Sequence, residues 1–257
     1  MATFLFDKIV FGPVKSRRLG ISLGINLLPV DAKLCSFDCV YCECGLLSKG
    51  AKVKLPSVDE VKAALHQKLS EMSLEGLEPD VITFAGNGEP TIHPDFAEIV
   101  EDTIALRNSF FPKAKISVLS NATMLNNKDV FEALKKVDNN LLKLDSGIDA
   151  TMQLIDNPVN KNITVEKVIA TLKKFNGNFI LQTMFLRGSV NGIPVDNTTD
   201  VELEAWIKAV KEVAPKQIMI YSLDREAPFK TLRKVDQNEL NKIAERVRKE
   251  GFEVLVA

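Results

Sequence analysis

The residues with the most chemistry in this 257-residue chain are four cysteines, all within the segment KLCSFDCVYCECG. Cys35, Cys39 and Cys42 are spaced C-x3-C-x2-C, and Cys44 follows two residues later. A secreted disulfide framework scatters its cysteines to close loops, so this clustering reads instead as a metal site in a reducing compartment, the cytosol. Thiolates hold [4Fe–4S] clusters, and one short loop can wrap three sulfurs around one cube. Three ligands leave one iron open to another molecule, as an open position distinguishes catalytic from structural zinc. Two other readings use the same residues. A zinc site of all four cysteines is one, although zinc more often takes two separated pairs. A redox disulfide between Cys39 and Cys42 is the other, although no helix follows as it does in a thioredoxin-like motif. A non-catalytic zinc or iron–sulfur module is therefore the alternative to an enzyme.

Other candidates sit at the ends of apolar runs. The turn A-G-N-G-E-P-T, residues 85–91, lets backbone approach a ligand closely, and its carboxylate, Glu89, suits an ammonium. Most such segments are plain tight turns. Ser120 and Asn121 close KISVLS, and Asp145 and Ser146 close LLKLDS; turn and capping chemistry is the ordinary use of these types. Gln182, inside the apolar run NFILQTMF, must find a partner if it faces an interior, and is expected to contact cofactor or substrate there. Arg17, Arg18 and Arg225 are solvated charges by default. His93 reads as a loop or capping histidine and His66 as a mid-helix residue.

These residues need a scaffold, and the hydrophobic pattern supplies one. Strands are expected at 22–28, 80–85, 115–120, 141–145, 178–185, 217–223 and 252–256. Helices are expected at 57–73, 94–107, 128–137, near 164–175, 200–213 and 236–250. Ser57 and Glu60 form a capping box, and Pro94 reads as a first helical residue. Leu203, Trp206, Ile207 and Val210 lie on one stripe of their helix. Segments 187–199 and 224–235 read as loops. The strands are short apolar runs, which suits a parallel sheet covered by helices. About six βα units follow, either an open doubly wound sheet or a barrel, complete or partial. Both place sites at the carboxyl ends of strands, where the polar segments fall. One domain over 1–257 is expected, with 1–21 as an N-terminal extension and 33–45 as the cluster loop.

Hydrophobic residues are 46% and charged residues 26%, which excludes a disordered chain or a coiled coil. The net charge of −1 supplies no global basic field for nucleic acid. The longest apolar runs fall short of the ~20 residues of a membrane span. The N-terminus, MATFLFDKIVFG, lacks a basic n-region, so it does not read as a signal peptide.

At C-x3-C-x-aromatic-C, with Tyr41 as the aromatic, the chain resembles the radical SAM superfamily, and the likeness extends over most of its length. The resemblance implies an α/β fold, a partial (β/α)6 TIM-like barrel. It implies one [4Fe–4S] cluster on Cys35, Cys39 and Cys42, with S-adenosylmethionine (SAM) at the fourth iron and Tyr41 near the adenine. Asn87, Gly88 and Glu89 stand where the family often has Gly-Gly-Glu, which holds the SAM amino group; Asn is suited to replace the first Gly because it tolerates positive φ. Ser120 and Asn121 match the position that contacts the SAM carboxylate or ribose. Asp145 and Gln182 join them as candidate cofactor contacts, and Cys44 has no counterpart. The implied activity is that of an iron–sulfur oxidoreductase or transferase: reductive cleavage of SAM to methionine and a 5′-deoxyadenosyl radical, with an external electron donor such as flavodoxin or ferredoxin. GPVKSRRLGISLGINLLP and YSLDREAP are similar to stretches of wyosine-type tRNA modification enzymes, which would bring Arg17, Arg18 or Arg225 to an anionic substrate group. With no cysteine outside 35–44, the second cluster of that subgroup cannot be built. The substrate is open between a small molecule, a peptide and RNA.

Overall fold

The structure is a computed structural model that describes residues 4–16, 18–47 and 54–257. The chain opens with an antiparallel hairpin, β1 (Val10–Ser16) and β2 (Gly20–Ile25). It continues through α1 (Val58–Leu74), β3 (Val81–Phe84), α2 (Phe96–Phe110), β4 (Lys115–Ser120), α3 (Lys128–Lys136) and β5 (Asn139–Lys143). Two short helices, α4 (Asp149–Ile155) and α5 (Val165–Leu172), lead to the long β6 (Ile180–Val190) and to β7 (Ile193–Asp196). The remainder is α6 (Asp200–Val213), β8 (Gln217–Ser222), β9 (Arg233–Lys234), α7 (Gln237–Arg248) and β10 (Val254–Val256).

The sheet runs β1-β2-β3-β4-β5-β6-β8-β10, and every neighbouring pair from β2 onward is parallel. Strand order thus follows chain order. A doubly wound sheet reverses its order at a switch point. An unreversed order with right-handed crossovers keeps all helices on one face, so the other face curls inward. That decides for the partial (β/α)6 barrel, with six βα units running from β2–α1 to β8–α7 and β10 as the last strand. Among the described residues pairing ends at β1 and β10, and no hydrogen-bonded closure joins them.

Alternation sorts the strand residues. Ile82, Phe84, Ile116, Val118, Leu142, Leu144, Leu181, Phe185, Ile218 and Ile220 join the main core under the helices. On the inward face Leu141, Ile180 and Met219, packed by Leu19, Leu119 and Leu255, form a separate floor. Register then stacks Lys143 beside Gln182 and Gln182 beside Met219, with Met184 beside Tyr221 above them. The helices are locally specified. The Ser57–Glu60 capping box starts α1, and Leu203, Trp206 and Val210 are buried on α6, with Ile207 partly covered.

Several expectations are corrected. The N-terminal extension contains β1, whose residues are mostly exposed and so lack the apolar pattern of the parallel strands. The 22–28 strand ends at Ile25, because Asn26 folds its side chain onto the Leu28 backbone. Pro94 precedes α2; Asp95 is the N-cap, after a 3-10 turn at Pro90–Ile92. Segment 187–199 is not a loop, since β6 and β7 pair antiparallel there, and β9 pairs with β6 inside 224–235. Among the described residues no helix is long and apolar enough to cross a membrane.

Candidate active site: the cysteine loop at the barrel mouth

The cysteine loop lies over the carboxyl ends of the first parallel strands and is fastened on two sides. On the β3 side, Leu34 N–H donates to the Asn87 carbonyl (2.9 Å) and Glu89 N–H to the Leu34 carbonyl (3.0 Å). Gly88 makes this crossing possible: a Cβ there would lie 1.8 Å from the Leu34 oxygen, and its φ is +140°. On the α4 side, Val40 N–H donates to Ile155 O (2.9 Å) and Asp38 N–H to Asp156 O (3.1 Å). Inside the loop, Lys33 donates to Asp38 Oδ1 (3.2 Å) and Gly45 O (2.9 Å) with its side chain 2% exposed. Burial opposes that charge, but Cys42, Cys39, Cys35 and Asp38 outweigh it and hold the amine above the ordinary lysine value.

All four cysteines are free and partly exposed. The Cys42 thiol is lowered to about 6, first by its hydrogen bond with Cys44, with Lys33 assisting against desolvation. Cys44 is raised for the reciprocal reason, and its thiol donates to Gly86 O (3.4 Å). Burial pushes Cys35 up to about 12 and Cys39 well above the usual thiol range. Among the described residues no three His, Cys, Asp or Glu groups converge on a single-ion site. A cubane spreads three thiolates over three irons and does not ask for that convergence.

Around Cys35 the strand ends form one network. Asn121 Nδ2 donates to Ser36 Oγ (2.8 Å) and lies 3.6 Å from Cys35 Sγ. Glu89, 2% exposed, accepts from Asn121 N–H (2.6 Å) and from the Thr91 hydroxyl (2.5 Å), with Ser120 adding a further bond. Burial nevertheless raises its pKa. Asn87 is fully engaged: it donates to Phe6 O (2.9 Å) and Pro29 O (2.7 Å) and accepts from Phe6 N–H (2.8 Å). Its φ is not positive; the left-handed positions of this turn are Gly86 and Gly88.

Around Cys39 a second network faces the lumen. Cys39 Sγ lies 3.9 Å from Asp156 Oδ1. Lys143, 8% exposed, pairs with Asp156 (2.9 Å) and with Asp145, and also meets the Tyr41 hydroxyl. Tyr41 donates to Asp145 Oδ2 (2.5 Å), and Lys143 Nζ stands 4.6 Å from the Tyr41 ring centroid. Asp145 Oδ1 accepts from Met184 N–H (2.9 Å). Burial opposes the Lys143 charge, but Asp145 and Asp156 outweigh it and hold the amine well above its usual value.

Gln182, 6% exposed, faces the lumen as expected; it donates to Leu141 O (3.2 Å) and accepts from Arg18 (3.4 Å). Ser146 and Thr183 are turned to Glu202 and Leu144 O. Arg225 is at the surface in an ion pair with Glu43 (2.6 Å). His93 bridges Pro56 O and Asp95 N–H as a buried turn residue, and His66 packs edge-on to Phe110. Arg17 lies outside the described residues. Sequence reading missed Lys33, Lys143, Asp156 and Tyr221. Lys143 carried a usable signal, a charge inside the apolar run LLKLD, by the reasoning applied to Gln182.

A partial barrel with a C-x3-C-x2-C loop at its mouth defines a class. The sequence profile described as the radical SAM superfamily matches residues 31–210, and the chain belongs to that superfamily, whose enzymes work with a [4Fe–4S] cluster and SAM. A UPF0026 protein of Synechocystis is 32% identical over 228 residues, covering 86% of this chain and 77% of that one. A Brachyspira hyodysenteriae protein named GTPase Obg is 29% identical over 242 residues, 93% of this chain, which spans only 33% of that relative's length. A radical SAM methyltransferase from Sphaerobacter thermophilus shares the fold with a TM-score of 0.67 at 14% identity, over 92% of this chain and 65% of that one. TYW1 with a lysine-pyruvate adduct bound shares it with a TM-score of 0.60 at 14% identity, over 89% and 73%.

Proposed function

We propose that Cys35, Cys39 and Cys42 hold the [4Fe–4S] cluster, that its fourth iron takes SAM, and that the barrel lumen receives the substrate. When bound and reduced by an external donor such as flavodoxin or ferredoxin, cluster and SAM supply methionine and a 5′-deoxyadenosyl radical that removes hydrogen from the substrate. The chain's own residues position and shield this chemistry. Lys33 favours the thiolate form of Cys35 and Cys42 and Lys143 that of Cys39, the form that ligates iron. Glu89 offers a buried carboxylate at the end of β3, suited to the SAM ammonium, whose charge would offset the desolvation of that carboxylate. Asn121 and Ser120 orient Glu89 and the Cys35 turn. Tyr41 and Asp145, locked by Lys143, line the side of the loop toward the lumen. Met184, Tyr221, Val40 and Ile155 form an apolar wall that limits water there.

The observation that carries this reading is the docking of the three-cysteine loop on the ends of β3, β4 and β5, through Gly88, Asn121 and the Tyr41–Asp145 bond. The test is anaerobic reconstitution. The account expects a brown protein with one cluster per chain that releases 5′-deoxyadenosine when reduced with SAM. A colourless protein holding stoichiometric zinc overturns it in favour of a non-catalytic module.

A second reading, tRNA-base modification of wyosine type, is supported by the fold shared with TYW1. Lys143 weighs against direct transfer of a lysine-adduct chemistry, because a lysine held protonated by two carboxylates offers no free amine to a carbonyl.

A further inference from the structure

Among the described residues two cations, Lys143 and Arg18, reach the lumen, and only Lys143 is matched by carboxylates. Lys143 has two buried carboxylates. Arg18 comes from the β1–β2 turn, yet its side chain leaves solvent for the inward face of the barrel. Its guanidinium carbon stands 4.7 Å from the Tyr221 ring centroid, and Nη1 reaches Gln182 Oε1 at 3.4 Å. Among the described residues it has no carboxylate partner. A guanidinium carries five N–H donors, so most of this fork is unspent. Gln182 is held in turn by its bond to Leu141 O, so it orients the arginine. The Tyr221 hydroxyl makes no hydrogen bond among the described residues and is a second open donor. Tyr221 also belongs to the apolar group containing Tyr41 and Met184, whose N–H binds Asp145. The open donors therefore share the lumen wall with the residues that face Cys39.

We infer that Arg18 and Tyr221, with Gln182 as the positioning residue, form a subsite for an oxyanion of the substrate, a carboxylate or a phosphate. The fork geometry of the guanidinium suits both groups, and the Tyr221 ring supports it from one side. That the bound anion belongs to a substrate rests on the radical SAM reading; the anion site itself rests on the geometry alone.

The test uses the full chain, cluster-reconstituted, without reductant and saturated with SAM. Phenylglyoxal modification of Arg18 is followed by peptide mass spectrometry, with inorganic phosphate or acetate as the probe. The expected result is slower modification of Arg18 in one or both anions, and the stronger protector identifies the group as phosphate or carboxylate. Calorimetric titration with the same anion should weaken by about tenfold in Arg18→Gln and less in Arg18→Lys. Modification of Arg18 at an unchanged rate in both anions overturns the subsite, and does so on the wild-type chain even if the variants fail to fold. Protection seen only without SAM also overturns it, since the anion would then occupy the place of the SAM carboxylate. The two readings fail separately: protection of Arg18 in a chain that releases no 5′-deoxyadenosine on reduction sinks the enzyme and leaves the anion site.

Discussion

Cys42 has the lowest thiol pKa of the loop, and the cause is local. Through its hydrogen bonds with Cys44, with Lys33 nearby, its value of about 6 lies below the ordinary thiol value of 9.0. The thiolate is therefore the main form at neutral pH and is lost as pH falls through about 6. In the metal-free protein, iodoacetamide should label Cys42 ahead of Cys35, with a rate that drops through that pH. Cys44→Ala should move the midpoint upward, and equal labelling of all four thiols at pH 7 would contradict the assignment. Lys143 supports a stability prediction. Lys143→Met leaves Asp145 and Asp156 uncompensated in a dry site and should cost about 3–5 kcal/mol in denaturant unfolding. Adding Asp145→Asn and Asp156→Asn should recover much of it. The cysteine triad was legible because its meaning lies in local spacing. Lys143 and Asp156 were not, because their pairing joins residues on β5 and at the end of α4, and Cys39 meets Asp156 across 117 positions.

At the level of elements, two glycines separate close approach from conformation. Gly88→Ala would drive a Cβ into the Leu34 backbone, so the loop must lift from β3. Iron bound on reconstitution should fall sharply, and normal iron content would show that the loop does not need this seat. Gly192→Ala meets nothing within 4 Å and carries only the strain of a φ of +81°, so it should cost about 1 kcal/mol and leave iron binding intact. Gly192 also explains a misread element. Asn191-Gly192 is a two-residue hairpin turn with both φ positive, a strong signal. Polar neighbours hid it, because the apolar alternation that marks a half-buried strand is weak in RGSVNGIPVDN. The capping box of α1 and the stripe of α6 were readable because both depend on residues one turn apart.

For the whole molecule, periodicity alone could not choose between a doubly wound sheet and a barrel, since both are built from the same βα units. The choice is made by strand order, a property of pairing between distant segments. The matching superfamily profile agrees with the outcome. Surface charge bears on the second functional reading. With a net charge of −1 and a lumen arginine held inside the barrel, retention of tRNA on the purified protein at physiological salt is not expected. Co-purified tRNA that elutes with rising salt would instead favour wyosine-type modification.

In the proposed arrangement three cysteines hold the cluster, the fourth iron is open to SAM, and Cys44 is spare. Electron paramagnetic resonance of the reduced, reconstituted protein tests it directly. The expected spectrum changes when SAM is added, in the wild type and in Cys44→Ala alike, with no cluster signal in Cys35→Ala. A spectrum indifferent to SAM in the wild type, and responsive only in Cys44→Ala, would make Cys44 the fourth ligand and contradict the account.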